Sequence, residues 1–263
     1  GDSCKDVFIY GDIERISPEA PVPVFKPTHE ESNDGMARNV SNNVEALGMT
    51  IHTLTNKNSI VKKRYVDNRS SQMVLRVDEH DHCSRISQHL IEGLKNNKLE
   101  KPPFGFESSQ NEDHYDAIII SDYCKGFLEK EDVQYICKNN KNVFVDTKKN
   151  LGKWIKDADF IKINELEYNK NHELLSDKGF EEKLIVTLGS KGCRYNGKEF
   201  SVKEVPVKDV SGAGDTFIAG LVRGYLDTGS IYEAIEFAQR CTTSVVQKHG
   251  VSTVSLEELK TDE

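Results

Sequence analysis

Four short apolar runs recur from about residue 117 onward: Ala117 to Ile120, Val143 to Asp146, Phe160 to Ile163 and Leu184 to Leu188. Each is short for a helix and too continuous for a strand with one wet face, so each reads as a strand buried on both sides. Stretches of helical period separate them. Strands alternating with helices predict an α/β fold that is doubly wound, with a mostly parallel sheet and helices on both faces. The last third supplies two helices, over about 214 to 227 and 230 to 248, with Phe217, Leu221, Ala234, Ile235, Ala238 and Val245 or Val246 as inward faces and Gly250 as a stop. An earlier helix is predicted over 36 to 47, where Val40, Val44 and Leu47 recur at i, i+4 and i+7 and Gly48 follows as the C-terminal signal.

Two segments break the alternation. Residues 12–27 hold Pro18, Pro21, Pro23 and Pro27, and residues 63–76 run into the alternating Met73-Val74-Leu75-Arg76-Val77. Proline is tolerated on edge strands, so both segments read as strands of a small separate sheet, a β lid whose exposed edges also suit a homodimer contact. The polar stretch from about 97 to 115, with Pro102-Pro103, reads as a surface loop. At 263 residues the chain, 1–263, fits one main domain with this appendage.

Composition narrows the partners. No apolar run approaches the roughly 20 residues that span a bilayer, and the opening Gly1-Asp2 carries no secretory signal. A cytoplasmic protein with no membrane contact is expected. A net charge of -8 and a pI near 5.6 repel polyanions, which excludes nucleic acid as an expected partner. Cys4, Cys83, Cys124, Cys137, Cys193 and Cys241 form no C-x-x-C pair and read as reduced thiols. His80, His82 and Cys83 lie in an acidic stretch without a second ligand group at metal spacing, and read as a solvated loop.

Candidate chemistry concentrates in Asp209-Val210-Ser211-Gly212-Ala213-Gly214-Asp215-Thr216-Phe217, directly before an amphipathic helix. Glycines at 212 and 214 let backbone approach a ligand closely, and the free N–H groups of a helix start point at any anion there. Asp215 at the edge of such an anion hole could accept the proton of an attacking hydroxyl. A plain tight turn with an acidic helix start is the competing reading, and companion motifs decide between them.

Those companions bring a resemblance. The Asp209 to Phe217 string resembles the C-terminal signature of PfkB or ribokinase-type carbohydrate kinases, which implies Asp215 as base and Gly212, Ala213 and Gly214 as anion hole. Asp34-Gly35-Met36-Ala37-Arg38-Asn39 is similar to the family's first signature, a Gly-Gly followed by a sugar-binding Asn, with Met36 in place of the second Gly. Gly1-Asp2 with Asp6 resembles the strand end that contacts sugar hydroxyls. Asn164-Glu165-Leu166-Glu167 resembles the N-x-x-E element that organises Mg2+ and phosphate, with Glu167 reaching the metal through water. Thr187, Gly189 and Gly192 resemble the strand and turn that hold the nucleotide, and Asp146-Thr147-Lys148 ends a strand where the family has an Asp-Pro-Lys type sequence. The resemblance implies ATP and Mg2+ as cofactors, and K+ at a site near Asp209.

Within that family, longer strings are similar to the D-glycero-β-D-manno-heptose 7-phosphate kinase domain of lipopolysaccharide precursor synthesis: residues 16–24, Lys62-Lys63-Arg64-Tyr65, Gln72 with Leu75-Arg76-Val77-Asp78, and Ser121-Asp122-Tyr123 with Lys125-Gly126. The implied reaction phosphorylates a sugar phosphate at O1. Asp6, Gly35, Asn39 and Asp122 become substrate candidates, and Lys63, Arg64 and Lys125 could supply the cationic contacts a sugar phosphate requires. A family kinase for another sugar or nucleoside, and a silent nucleotide-binding relative, stay open. Two departures accompany the match: a strand expected before Gly1, and a helix and strand expected between Asn56 and Lys62, have no counterpart.

Overall fold

The computed structural model, which describes residues 1–57, 59–99, 114–175 and 178–261, divides the chain between two main β-sheets. The first holds β1 (Ser3–Ile16), β2 (Pro23–Met36), β3 (Ile60–Asp67) and β4 (Met73–Glu79) in the order β2-β1-β3-β4. β1 pairs antiparallel with β2 and parallel with β3, and β4 closes antiparallel on β3. Helix α1 (Ala37–Ala46) follows β2 directly. The segments 12–27 and 63–76 fall on this sheet, but its strands start earlier, at Ser3 and Ile60. Residues 17–22, with Pro18 and Pro21, bend between β1 and β2, while Pro27 sits on an edge strand, where a residue without an N–H disturbs no interior ladder.

Next come α2 (Gln88–Gly93) and the short pair β5 (Leu94–Lys95) and β6 (Lys98–Leu99), turning at Asn96 and Asn97 with φ of 52 and 57°. Most of the stretch read as a loop at 97–115 lies outside the described residues. The second sheet contains β7 (Ile118–Asp122), β8 (Val143–Thr147), β9 (Phe160–Asn164), β10 (Leu184–Thr187), β11 (Cys193–Tyr195) and β12 (Lys198–Phe200). β7 to β10 are parallel neighbours in sequence order, and β11 and β12 add an antiparallel hairpin beyond β10. The helices are α3 (Lys130–Asn139), α4 (Glu165–Leu175), α5 (Lys178–Glu181), α6 (Ala213–Thr228), α7 (Ile231–Val245) and α8 (Leu256–Thr261).

Alternation along the strands builds a core on each face. Val143, Val145, Ile161, Ile163 and Val186 point one way, onto Val133, Ile136 and Cys137 of α3. Phe144 and Ile185 point the other way, onto Val40 and Val44 of α1, Phe217 and Leu221 of α6, and Ile235 of α7. Each fully buried aliphatic or aromatic side chain stabilises the fold by about 1.5–3 kcal/mol, which makes both faces obligatory cover. Among the described residues no helix is long and apolar enough to cross a membrane.

β7 ends the large sheet, and beside it runs a cavity of about 610 Å3 lined by Val40, Val44, Ile86, Ile91, Ile119 and other apolar side chains. Gly1 and Leu54 line this cavity, and the Gly1 amine donates to the Leu54 carbonyl at 2.9 Å. The residues expected to carry chemistry gather elsewhere, at the C-terminal ends of β7 to β10. Parallel register aligns Asp122 with Thr147 and Asn164 with Thr187 there, on the edge where open α/β sheets bind ligands.

Candidate active site

Helix α6 starts at that edge. Gly212 caps it at φ 78°, a left-handed conformation that favours glycine, and a Cβ there would also lie 2.6 Å from Asn39 Nδ2. Thr216 N–H makes the first helical bond, to Gly212 O, so the N–H groups of Gly214 and Asp215 sit in a first turn with no intrahelical acceptor. Ala213 differs from expectation, because its N–H donates to Val210 O at 3.2 Å and closes the loop. A Cβ on Gly214 would lie 2.9 Å from Lys162 Nζ, so an ammonium stands directly beside this turn.

The Asp215 carboxylate is buried and doubly held. Asn39 Nδ2 donates to Oδ2 at 2.8 Å and the Tyr123 hydroxyl donates to Oδ1 at 2.7 Å. Burial pushes its pKa from 3.8 up to about 6, against the hydrogen bonds from Asn39 and Tyr123; Asp146 adds to the rise and Lys162 opposes it. Asn43 Nδ2 donates to Asn39 O at 2.8 Å, and Thr216 Oγ1 donates to Asn43 Oδ1 at 2.8 Å. This circuit ties α1 to α6 and fixes the Asn39 amide against the carboxylate. Met36, where the family signature has glycine, adopts φ 59° with its side chain buried.

On the other side of Asp215 the strand ends gather charge. Lys162 and Asp146 form an ion pair at 2.7 Å, both nearly fully buried. The second oxygen of Asp146 has no hydrogen-bond partner among the described residues, with Lys148 Nζ at 3.6 Å. Lys148 also reaches Glu167 at 2.6 Å. Burial pulls the Lys148 ammonium down, but Asp146 and Glu167 outweigh it and the net shift is upward. Asn164 and Glu167 bond reciprocally, each backbone N–H donating to the other's side chain at 2.8 Å, so the pair also caps α4. Thr187 Oγ1 donates to Ile163 O at 3.3 Å, and Gly189 and Gly192 bracket the next turn with φ of 61 and 93°. A Cβ at Gly192 would sit 1.9 Å from Phe200 O, a collision with backbone that reserves the position for glycine.

The expected sugar-side residues divide. Asp6 accepts from Arg64 at 2.6 Å beneath Gly35, whose missing Cβ would approach Asp6 Oδ2 to 2.3 Å. Lys63, in contrast, pairs with Glu79 at 2.8 Å, and Lys125 pairs with Asp81. Asp122 is enclosed by the Lys149 ammonium, at 2.7 Å from both oxygens, and by Thr147 Oγ1 at 2.6 Å. Asp2 likewise accepts from the N–H groups of Tyr123, Lys125 and Phe127 and so shapes their loop. Asp209 accepts from Ser211 N at 2.8 Å and Gly250 N at 3.2 Å.

Tyr123 and Lys162 join the site without having been singled out. Lys162 carried a readable signal, a lone charge inside the apolar run Phe160 to Ile163. No cluster of three or more His, Cys, Asp and Glu able to hold a metal occurs among the described residues, and Cys83 is buried with its thiol toward Asp2.

Residues 96–259 match the family described as pfkB family carbohydrate kinase. The chain is 32% identical to the bifunctional protein HldE of Helicobacter pylori (strain J99) over 309 residues, covering 98% of this chain and 64% of that protein. The bifunctional protein HldE of a Nitratiruptor species is 31% identical, with 99% and 63% covered. The chain therefore spans somewhat less than two thirds of the length of these relatives, and the 309-residue alignment is longer than its own 263 residues. Among solved structures, Escherichia coli phosphofructokinase-2 in complex with potassium superposes with a TM-score of 0.68 at 11% identity, over 98% of this chain and 94% of that one. Thermotoga maritima ribokinase gives 0.65 at 16%, over 99% and 96%. These two likenesses establish a ribokinase-like fold.

Proposed function

The chain belongs to the pfkB family of carbohydrate kinases, and on that premise we propose that it transfers the γ-phosphoryl group of ATP to O1 of D-glycero-β-D-manno-heptose 7-phosphate, giving the 1,7-bisphosphate. The observation that carries the reading is the buried, doubly hydrogen-bonded Asp215 carboxylate beside the first turn of α6 and the Lys162 ammonium. The relatives named HldE support the heptose.

Asp215 accepts the proton of the anomeric hydroxyl as that oxygen attacks in line. Its pKa of about 6 leaves it mostly ionised at neutral pH yet more basic than an ordinary carboxylate, which suits proton abstraction. The Gly212 to Gly214 turn receives the transferring group through the Gly214 N–H, with the neighbouring Asp215 N–H adding a second donor and Lys162 adding charge. Asn39 and Asp6 hold the sugar. The nucleotide lies over Thr187, Gly189, Gly192 and Asn164, with Lys148 toward its phosphates. The orphaned Asp146 oxygen and Glu167 are the residues that would hold Mg2+. A metal held there would neutralise charge on the phosphates. A K+ site beside Asp209 and a homodimer through the small sheet complete the reading; exposed Met73, Val74 and Leu75 on β4 favour the second.

The test is ATP-dependent ADP release with heptose 7-phosphate, fructose 6-phosphate, ribose and adenosine, the product's phosphate position being read by phosphorus NMR. Turnover confined to heptose 7-phosphate, at O1, is expected. Turnover on another acceptor keeps the kinase and replaces its substrate, while silence across the panel removes the activity.

A pH profile tests the base separately. The Tyr123 hydroxyl donates to the ionised carboxylate and so favours that form. Tyr123→Phe is expected to raise the Asp215 pKa and move the acid limb of kcat/KM upward from about pH 6. An acid limb that stays in place would detach Tyr123 from the titrating group.

A further inference from the structure

Successive side chains on a strand face opposite ways, so Lys62 and Arg64 of β3 share one face while Lys63 takes the other. The Lys62 face looks toward the active site, because Lys62 Nζ stands 5.5 Å from the centroid of Tyr123, whose hydroxyl holds Asp215. Lys62 is only 7% exposed. Its cross-strand neighbours are two carboxylates, Asp6 on β1 and Asp78 on β4. Both are engaged by arginines: Arg64 donates to Asp6 at 2.6 Å, and Arg76 donates to Asp78 at 2.7 and 2.8 Å.

Among the described residues the Lys62 ammonium therefore has a ring contact but no hydrogen bond or ion pair. A buried ammonium whose neighbouring carboxylates are already taken by arginines is left without an ion pair of its own, which suits an anion arriving from outside. The large sheet already sets two ammonium groups beside the proposed path of the phosphoryl group, Lys162 and Lys148, each ion-paired with a carboxylate. Lys148 Nζ also stands 5.5 Å from the Tyr123 ring, which lies between the nucleotide side and the small sheet. Lys62 belongs to the small sheet, on the same face as Asp6.

We infer that Lys62 binds the phosphate monoester carried by the sugar substrate, and that it makes the enzyme prefer phosphorylated over plain sugars. The inference rests on the sugar-kinase reading above. It replaces Lys63 and Lys125, whose charges Glu79 and Asp81 already neutralise, as the cation awaiting substrate.

The experiment compares kcat/KM for heptose 7-phosphate and for unphosphorylated heptose in the parent protein, Lys62→Met and Lys62→Arg. Lys62→Met is expected to lose about tenfold to a hundredfold on the phosphorylated sugar, mainly in KM, and little on the plain one. Lys62→Arg should retain the preference in part. Without ligand, the thermal midpoint of Lys62→Met should change little, since a buried ammonium with no ion pair or hydrogen bond of its own gives way to an apolar chain of similar length. Equal loss on both sugars would assign Lys62 to the transferring group and overturn the inference; so would an unchanged preference. Calorimetric titration with heptose 7-phosphate and fructose 6-phosphate keeps the question decidable without turnover. Binding that weakens in Lys62→Met upholds the phosphate site even if the proposed reaction fails, and binding of neither compound, or binding indifferent to Lys62, rejects it.

Discussion

Asp215→Asn is expected to lower kcat by about 10²–10⁴-fold while ATP affinity stays close to that of the parent. The substitution keeps the shape of the side chain beside Asn39, Tyr123 and the first turn of α6: its amide oxygen can still accept from Asn39 Nδ2 while its amide nitrogen donates to the Tyr123 hydroxyl, so the charge and the ability to take a proton are lost with little change in packing. Its effect on stability should run the other way. A carboxyl group raised from 3.8 to about 6 is one whose ionised form the folded state disfavours, so ionised Asp215 subtracts from stability above pH 6. That deficit shrinks as pH falls through the folded pKa and vanishes below the unfolded value. Asp215→Asn should therefore melt no lower than the parent at pH 8, with the difference closing toward pH 4. Single-turnover kinetics and calorimetry at both pH values check the two halves, and near-parental turnover would remove Asp215 from the mechanism.

A group that costs stability and is retained is one that function explains better than folding does. The same reasoning separates what the sequence made legible from what it did not. Val143 to Asp146, Phe160 to Ile163 and Leu184 to Leu188 were readable because strands buried on two faces leave no polar alternation, and their observed bounds differ by a residue. The turn at Gly212 was readable because a left-handed cap before a helix favours glycine. The β11–β12 hairpin went unread although Asn196-Gly197, with φ of 46 and 70°, is a recognised two-residue turn signal. The small sheet's true extent was not legible, because parallel pairing of β1 with β3 across some fifty residues depends on long-range register.

The sugar-side cations were hard to rank for a related reason. In Lys62-Lys63-Arg64 three adjacent cations hide the phase of the strand, and a shift by one residue exchanges the face turned to the site for the opposite one. Asp122 and Asp2 matched expectation in type, yet their oxygens are committed to Lys149, Thr147 and loop N–H groups, partners that only tertiary structure brings near. Family strings pick out residues; hydrogen-bond commitment decides which of them remain open to a substrate.

Lys162→Met tests the least expected part of the site. It leaves Asp146 buried with one oxygen already lacking a hydrogen-bond partner, and with Lys148, itself engaged by Glu167, 3.6 Å away. Breaking a buried pair in this way costs about 3–5 kcal/mol, enough to lower the thermal midpoint sharply. Turnover should fall as well, because Lys162 stands beside Gly214 where the phosphoryl group is proposed to pass and opposes the rise in the Asp215 pKa. A structural and a functional role then predict the same single-variant result, and the double variant Lys162→Met with Asp146→Leu divides them. Replacing both members of a buried pair by apolar side chains is often neutral or stabilising, so melting should return near the parental value. Turnover should stay at least about 10²-fold down, since a preorganised charge beside the transferring group is not restored. Recovery of stability and activity together would make the pair a packing device and leave the Gly214 and Asp215 N–H groups as the only elements of the proposed anion hole.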